Sequence, residues 1–520
     1  MEYSLFVEIT FPNLFDYLVH FYQRSTSLFF KKGNKSSKIN LGIMEAEAES
    51  SESSSVRLID VFHDDLGVLE DLASQKFIVI GRKGAGKSAL ASYLYQMMEN
   101  EPTDECQIIR HDAIERELHL QGFESGSVLG LDFYKWLVMV TLIELLMKHE
   151  NLFSDLKSFD KLKEFIEVNR GGVRISERKV SSEELSKSKG QNYEFGIDAK
   201  PLKSFMKSND LTAIKQVKNS PSIYEVLPDL EKVIDKLLAC AARIANDNTY
   251  CIIFDDLDIG FNSSNSESVS NLIALLRATK HLNHKWDRYN FKCLILLRDD
   301  VERLLSSRES DLNKLFSSYS TTLNWYCKGD DTPDLRAFID RRIARAFKEA
   351  QGVNGASWIN LTNTLFKEVI NKTFCRPRDL IAFFEPLGTE DFEYPLTIEE
   401  TQKLARSYGQ HIQREFQNEL SSFYTNTEIK LIIKVLRHVH ENESKIDDLM
   451  QFFEGSDLDY QEVLKDLYNR SFIGMRNSKG HVFFKYKFLK GHTYGAELNI
   501  EHDHKLLTHT VFDHQFQDFY

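Results

Sequence analysis

The sequence predicts an α/β protein with a central parallel sheet, followed by a helical domain and by a small domain of three helices and a β-hairpin. Three apolar runs of strand length indicate the sheet, at residues 77–80, 250–254 and 291–297. Segments with apolar residues at helical spacing lie between and after these runs, as expected of helices that cover a sheet. The 520 residues suffice for about two or three domains.

Composition indicates a globular protein outside the membrane. Hydrophobic residues make up 42 % and charged residues 28 % of the chain, which is typical of a folded protein. The net charge of −13, without a basic tail, argues against strong non-specific binding to nucleic acid. No run reaches the ~18 apolar residues of a membrane span, and acidic residues and a proline interrupt the apolar N-terminus. We therefore expect a cytoplasmic protein.

The six cysteines are scattered, and none forms a C-x-x-C pair. They are Cys106, Cys240, Cys251, Cys293, Cys327 and Cys375. This pattern predicts buried or free thiols in a reducing compartment rather than a disulfide or zinc framework.

The stretch FIVIGRKGAGKSAL contains the spacing Gly81-x4-Gly86-Lys87-Ser88, which is the Walker A pattern. Its glycines allow backbone amides to approach phosphate oxygens, and the following helix N-terminus adds partial positive charge. Lys87 is predicted to reach the β- and γ-phosphates, and the Ser88 hydroxyl to bind Mg²⁺. The predicted nucleotide-binding residues are Gly81, Arg82, Lys83, Gly84, Ala85, Gly86, Lys87, Ser88 and Ala89.

Acidic residues follow the second apolar run, in IIFDDLD. Asp255 is predicted to bind Mg²⁺ together with Ser88, and Asp256 to act as the base that polarises the attacking water. Asp258 fits a loop or capping role as well as a catalytic one. Adjacent acids at this place indicate a further strand between this run and the one before the glycine loop.

Arginines supply the remaining candidates for contacts with the nucleotide. Arg298 ends the third apolar run, at the strand end where open α/β sheets bind ligands, although it could instead pair with Asp299 or Asp300. In CRPRDLI, Pro377 fits the first turn of a helix, so that Arg376 or Arg378 could face the nucleotide.

A predicted helix over residues 334–350 carries three more arginines. Arg341, Arg342 and Arg345 fit either an arginine finger or a solvated basic face. The sequence has no NKxD motif, which would read guanine, so adenine is favoured by elimination.

The last hundred residues predict a winged helix-turn-helix. Three helices, over 429–439, 444–453 and 458–468, precede two β-like runs that the turn 477–480 joins. The cations that could contact DNA are Lys465, Arg470, Arg476, Lys479, Lys485 and Lys487. Residues 425–520 nevertheless hold 12 Lys and Arg against 15 Asp and Glu, which favours an interaction or signalling wing. The C-terminal histidines lack a compact ligand set and are interpreted as surface residues rather than a metal site.

The motifs GRKGAGKSAL, IIFDDLD, ILLRDD and CRPRDLI together resemble a bacterial P-loop ATPase family, over about residues 56–390. This family is related to the STAND and KAP-type NTPases and, more distantly, to initiator-type AAA+ proteins. The resemblance implies an additional-strand P-loop NTPase with a helical lid and a C-terminal winged-helix domain. It also implies that Arg298 is a strand-end sensor, and that Pro377 and Arg378 belong to the lid motif that reads the nucleotide.

These features predict five segments along the chain. They are an N-terminal arm with an acidic Ser-rich linker, expected to be disordered (1–55), the NTPase core (56–327), the helical lid (328–420), the winged helix (425–500) and a tail (501–520). Within the core, residues 168–222 are polar and fit a surface excursion or partly disordered insertion. The residues before Met44 are interpreted as an unstructured arm or an over-extended start, with a functional helix as the alternative.

The predicted function is an ATP-binding switch that hydrolyses ATP slowly with Mg²⁺, because Asp256 stands where many AAA+ proteins have the longer Glu. The resemblance suggests phage defence as the setting. The expected partners are ATP and either a second copy or an effector protein bound through the lid or winged helix, with DNA possible but not favoured by charge. Two alternatives stay open: a DNA-engaging ATPase of the initiator or transposition type, and an adaptor that binds nucleotide without hydrolysing it.

Overall fold

The computed structural model divides the chain into two compact units. It describes residues 38–120, 130–170, 197–211, 223–244, 248–259, 261, 263, 265–325, 327–328, 333–351, 363–392, 396–485, 487–488 and 504–514. Among these, unit 1 comprises residues 69–80 and 94–321, and unit 2 comprises residues 38–68, 81–93 and 322–514.

The strands form two sheets. They are β1 (Ile78–Gly81), β2 (Asp104–Ile109), β3 (Thr249–Phe254), β4 (Phe291–Arg298), β5 (Ser320–Leu323), β6 (Cys327–Lys328), β7 (Ile473–Arg476), β8 (Val482–Phe484), β9 (Lys487–Phe488) and β10 (Lys505–Thr508). The first sheet has the order β2-β3-β4-β1-β5 and the second the order β10-β7-β8-β9-β6.

The helices occupy most of the remaining described chain. They are α1 (Ala46–Ser50), α2 (Leu58–Val61), α3 (Val68–Ala73), α4 (Lys87–Glu99), α5 (His111–Leu120), α6 (Leu131–Met147), α7 (Phe159–Arg170), α8 (Lys200–Ser208), α9 (Ile223–Ile244), α10 (Ser266–Lys285), α11 (Asp299–Arg308), α12 (Ser310–Tyr319), α13 (Pro333–Gln351), α14 (Asn363–Asn371), α15 (Pro377–Phe384), α16 (Ile398–Leu420), α17 (Asn426–Asn442), α18 (Ile446–Leu449) and α19 (Tyr460–Asn469). None of the helices in the described ranges has both the length and the apolar composition that crossing a bilayer requires.

The first sheet confirms the α/β prediction. Strands β2, β3 and β4 pair in parallel, with Cys106 opposite Cys251 and Ile252 opposite Cys293. Every residue of β3 is buried, as expected of a parallel strand that is covered on both faces. Strand β4 lies between β3 and β1, which confirms the predicted further strand between the two motif-bearing strands.

Helix α6 forms the centre of the unit 1 core. It is apolar around its whole circumference, and most of its residues from Phe133 to Met147 are buried, so it packs on several sides at once. The buried indole of Trp136 donates a 3.0 Å hydrogen bond to Glu117, and that of Trp286, on the chain after α10, donates one of 2.8 Å to Asp235. Both bonds satisfy polar atoms that would otherwise be costly to bury.

The N-terminal part of unit 2 differs from the prediction that residues 1–55 are disordered. Residues 46–50 form α1, and Glu49 is buried in an ion pair with Arg342 of α13, at 2.6 Å. Gly42 lies against this pair, where a Cβ atom would be 2.1 Å from Glu49 Oε1 and 2.2 Å from Arg342 Nη1. Residues 38–55 are therefore an ordered part of unit 2, and residues 1–37 lie outside the described residues.

Part of the predicted insertion also belongs to a core. Helix α8 packs on α7, and its residues Leu202, Phe205 and Met206 are buried. The description of residues 168–222 as a surface excursion is therefore corrected for 197–211. Residues 171–196 and 212–222 lie outside the described residues.

The cysteine prediction holds for four of the six cysteines and is wrong for Cys375, while the side chain of Cys327 lies outside the described residues. Cys106, Cys240, Cys251 and Cys293 are buried free thiols. Cys375 forms a disulfide. Scattered spacing in the sequence could not reveal this bond, because its geometry depends on the fold.

The C-terminal part of unit 2 has three helical segments and a hairpin, as predicted. Helix α18 continues into a 3₁₀ turn over Met450–Phe453, and α19 leads into the antiparallel pair β7–β8. In the connecting turn, Gly480 has φ +79° and donates its N–H to the carbonyl of Asn477. Strands β10 and β6 extend this sheet on its two edges. The winged-helix interpretation stays a prediction.

An aromatic cluster joins the segments of unit 2. Phe374, Phe416, Phe472 and Phe512 lie with ring centroids 4.9–6.1 Å apart. Because these rings come from the start of the CRPRDLI segment, from α16, from the chain before β7 and from the 3₁₀ turn 510–514, the helical lid and the C-terminal segment share one core.

Candidate functional site

The glycine loop of unit 2 has the backbone shape that its sequence predicts. Gly84 has φ +81° and Gly86 φ +100°, in a region that side chains with a Cβ atom avoid. Helix α4 begins at Lys87, directly after the last glycine of the loop, so its first amides have no helical carbonyl partners. Lys87 Nζ donates to the carbonyls of Gly81, at 2.9 Å, and Arg82, at 3.2 Å. The lysine is thus folded back along the loop that precedes it.

Three bonds from later in unit 2 fix the loop backbone. The indole of Trp325 donates to the carbonyl of Ala85 at 2.8 Å, and Arg376 Nη1 donates to the carbonyl of Lys83 at 3.0 Å. The backbone N–H of Arg378 donates to the carbonyl of Gly84 at 3.3 Å. A Cβ atom on Gly84 would lie 3.2 Å from the Cβ of Arg378, so close approach as well as φ requires glycine there.

The CRPRDLI segment owes its local shape to Pro377. This proline is the first residue of α15, as predicted, and it restricts Arg376 to an extended conformation, with φ −122° and ψ 150°. The backbone N–H and the guanidinium of Arg376 then both bond to Asp379, and Nη1 also reaches Glu419 at 3.3 Å. Burial opposes the charge of Arg376, but Asp379 and Glu419 outweigh it and raise the pKa of the guanidinium.

Arg82, inside the predicted loop, is buried and points toward the C-terminal segment. Its guanidinium donates to the carbonyl of Phe374 at 3.0 Å and to the carbonyl of Arg470 at 3.1 Å. Arg470 is itself buried and bonds to Asp466 at 2.8 Å. Arg470 therefore is not a surface cation available to DNA, as the sequence suggested, but part of the packing behind the loop.

Two partly exposed cations share one carboxylate beside the loop. Glu415 of α16 lies 3.5 Å from Lys83 Nζ and 3.6 Å from Arg378 Nη1. All three side chains are between 23 and 33 % exposed. The sequence left open which of two arginines could face the nucleotide. Arg376 is buried and bonded to Asp379 and Glu419, whereas Arg378 is partly exposed. No pattern in the sequence singled out Glu415, because it is one polar residue in a long amphipathic helix.

In unit 1, the acids after β3 lie beside the end of β2. The N–H of Asp255 donates to the carbonyl of Ile109 at 3.0 Å, and the residue is 1 % exposed. Asp255 Oδ2 has no hydrogen-bond partner among the described residues. A buried carboxylate oxygen without a donor fits a cation ligand, which is the role predicted for Asp255.

Asp256 adopts the left-handed region, with φ +54°. Its carboxylate lies 3.6 Å from Nε of Arg110, the first residue after β2. Sequence reasoning did not find Arg110, because only the pairing of β2 with β3 brings the two strand ends together.

Arg298 is bound by two acids of unit 1. Its guanidinium forms a buried bidentate pair with Asp300 and donates to Asp258 at 2.9 Å. Of the two predictions for Arg298, the structure contains the pairing with Asp300, and it gives Asp258 the role of a second partner.

The three arginines of α13 pair with the N-terminal segment of unit 2. Arg342 binds the buried Glu49, Arg345 lies 3.0 Å from Asp60, and Arg341 pairs with Asp65. They are thus neither a solvated basic face nor poised in this structure as a free arginine finger.

Among the residues that the structure describes, the other candidate DNA contacts and the C-terminal histidines do not form one assembled site. Arg476 pairs with Glu443 at 2.8 Å, whereas Lys465 and Lys479 are exposed. Among the C-terminal histidines, His509 is buried, with its ring packed against those of Phe374 and Phe484, so the surface prediction is wrong for that residue. Within the described ranges there is no group of three or more His, Cys, Asp or Glu side chains that could hold a metal.

Comparison with known proteins leaves the family open. No family model matches the sequence, and no curated protein matches it at the significance level applied. Among solved structures, that of the Aeropyrum pernix ORC2 protein in ADPNP-ADP complexes is similar to this chain with a TM-score of 0.28 and 11 % identity, over 88 % of this chain and 92 % of that one. A TM-score this low supports no argument, so the resemblance to P-loop ATPase families stays a prediction.

Proposed function

We propose that this protein is a regulatory ATPase, which binds ATP, hydrolyses it slowly and acts as a nucleotide-dependent switch. The observation that carries the proposal is the glycine loop. It combines two glycines of positive φ, a lysine directed back along the loop and a helix that begins at Lys87. This arrangement is suited to a chain of phosphates.

In this proposal, the amides of residues 81–89 bind the phosphates, and Lys87 exchanges the carbonyls of Gly81 and Arg82 for phosphate oxygens. Binding of Mg²⁺ by Ser88 and Asp255 stays a prediction from the sequence. In unit 1, Oδ2 of Asp255 is buried and has no hydrogen-bond partner among the described residues, which fits a cation ligand. The ion, when bound, would offset the charge of the phosphates. ATP rather than GTP is proposed because the sequence lacks the motif that reads guanine.

Asp256 is proposed as the base that accepts a proton from the attacking water. Its ion pair with Arg110 and its turn conformation would orient the carboxylate. The sensor role that the resemblance implies for Arg298 would require it to exchange its bonds to Asp258 and Asp300, and a phosphate contact by Arg378 would replace its pair with Glu415. Such exchanges of partner are what a switch needs, since they make the loss of the γ-phosphate a structural event. We propose a second copy or an effector protein as the partner that reads it, and phage defence as the setting.

Calorimetric titration of the full chain with ATP and Mg²⁺ tests the proposal. We expect saturable binding, and its loss in Lys87→Ala, because the lysine supplies the charge that the β- and γ-phosphates require. Lys76→Ala serves as the control, since Lys76 is a partly exposed lysine that pairs with Asp71 in unit 1. Absence of ATP binding by the wild-type protein would overturn the proposal.

Phosphate release, measured with and without duplex DNA, separates the alternatives. Strong, salt-sensitive stimulation by DNA would favour the initiator-type or transposition-type ATPase. Tight ATP binding without turnover would favour the adaptor. The pairing of Arg470 and Arg476 within the protein leads us to expect little stimulation.

A further inference from the structure

We infer that Glu415 competes with the phosphates for Lys83 and Arg378, and thereby limits the affinity of the loop for nucleotide. This inference rests on the proposed function. In this inference, the carboxylate of Glu415 on helix α16 takes the position that a negatively charged group of the ligand would otherwise occupy.

The geometry places one acid between two cations of different origin. Lys83 belongs to the glycine loop and Arg378 to the first turn of α15, and their side-chain nitrogens lie 3.5 and 3.6 Å from the same oxygen, Oε2 of Glu415. Arg378 is held close to the loop by its backbone bond to Gly84. A phosphate group bound at the loop would meet the same two cations.

Glu415 stays ionised in this setting. Burial acts to raise its pKa, but Lys83 and Arg378, with smaller effects from His411 and Arg376, outweigh burial and lower the pKa. The carboxylate is therefore charged at neutral pH, and it must be displaced or shared when an anion binds to these cations.

The neighbouring Arg376, unlike Arg378, is held too firmly to exchange partners. It is buried and bound to Asp379 on two sides, and it donates to the loop carbonyl of Lys83. Arg378 instead is 33 % exposed and pairs with Glu415 at a distance longer than a hydrogen bond. A loosely held pair can exchange partners, whereas the tight one fixes the loop.

Removing the charge of Glu415 should therefore strengthen the binding of phosphates. In Glu415→Gln the two cations lose their internal anionic partner. We therefore expect the dissociation constant for ATP to fall by about tenfold, which corresponds to about 1.4 kcal/mol for one ion-pair interaction. The affinity for adenosine, which carries no phosphate, should not change. A merely structural role of Glu415 would move both affinities or neither.

The test is calorimetric titration of wild type and Glu415→Gln with ATP and with adenosine. Glu399→Gln is the matched control, since Glu399 is an exposed acid of the same helix, and it should bind ATP like the wild type. If Glu415→Gln does not unfold cooperatively, Glu415→Asp replaces it. The shorter side chain should lengthen both ion pairs and strengthen ATP binding by a smaller factor.

Two results would overturn the inference, and they are distinguishable. If the wild type binds ATP and the variant binds it equally or more weakly, Glu415 does not compete and the proposed function stands. If neither protein binds ATP, the proposed function fails and the inference fails with it.

Discussion

Asp256 combines an uncommon backbone conformation with a position at the end of a strand. Its φ of +54° lies where most side chains are strained, but Asp and Asn tolerate this region because their short polar groups bond locally. The conformation directs the chain away from β3, and the Asp256 carbonyl accepts a bond from the N–H of Ile259. An Asp→Asn change therefore preserves the turn and removes only the charge and basicity.

We predict that Asp256→Asn lowers the rate of ATP hydrolysis by about 100-fold or more, since a positioned base contributes at least that much. The affinity for ATP should stay within about twofold, because the phosphates are bound by the loop. Phosphate release and calorimetric titration measure the two effects. The control is Asp112→Asn, a change of a 74 % exposed acid on α5. Unchanged turnover in Asp256→Asn would remove this residue from the role of base.

At the scale of single elements, strand β2 carries a buried acid at its start. Asp104 is buried, and burial raises its pKa to about 6, although hydrogen bonds from Thr249 and Thr103 lower it. An acid whose pKa is higher in the folded state than in the unfolded state stabilises the fold while it is protonated. Its contribution is therefore present below about pH 4 and is lost as the pH rises through about 6.

We predict that Asp104→Asn raises the free energy of unfolding, relative to the wild type, by more at pH 8 than at pH 4. The wild type should lose up to about 3 kcal/mol of its free energy of unfolding between these pH values through this residue, and the uncharged variant should lose correspondingly less. Urea unfolding of both proteins at the two pH values measures the difference. The same pH dependence in both would show that Asp104 does not titrate as proposed.

The elements near the motifs could be predicted because their signals are local. The runs before Gly81, Asp255 and Arg298 are apolar over strand length, and each became a strand. Pro377 likewise fixed the start of α15. Helix α1 could not be predicted in this way, because the acidic sequence around Glu49 is stabilised by Arg342, almost three hundred residues later.

For the candidate site, the sequence predicted which types of residue would take part but not which residues they would contact. The sequence indicated that acids and arginines would matter, but their partners depend on strand and helix neighbours. Arg110 meets Asp256 because β2 pairs with β3, and Glu415 meets Lys83 because α16 packs beside the loop. Such pairs of distant residues leave no periodic or spacing signal in one sequence.

At the scale of the whole molecule, the division into units cuts across the predicted core. The sequence predicts residues 56–327 as one domain, whereas residues 56–68 and 81–93 group with the lid and the C-terminal segment in unit 2. Within unit 2 the physical reason is the bonding of the loop. Ala85, Lys83 and Arg82 all bond to residues beyond position 322. The glycine loop is thus directly connected to the segment that, in the proposed function, a partner would read.

Of these hydrogen bonds, those of Arg82 reach the most distant part of the sequence. Its two hydrogen bonds join the loop to the carbonyl of Phe374 and to that of Arg470, at the end of α19. Removing the guanidinium leaves two buried carbonyls without this donor, at a cost of about 1–3 kcal/mol each. We predict that ATP slows amide hydrogen exchange in residues 460–476 of the wild type, and that Arg82→Ala abolishes this effect while the loop still responds to ATP.

Hydrogen exchange measured by mass spectrometry, with and without ATP, resolves the loop from residues 460–476. If Arg82→Ala is too unstable, Arg82→Lys keeps the charge but has one donor nitrogen in place of the two that bond to Phe374 and Arg470, so it should weaken the effect. Arg476→Ala is the control, because Arg476 lies in the same segment but pairs with Glu443 at the surface. ATP-dependent protection of residues 460–476 that persists in Arg82→Ala would mean that the loop and the C-terminal segment communicate by another route. The aromatic cluster around Phe374 would then be the next connection to test, since it joins the same segments without passing through the loop.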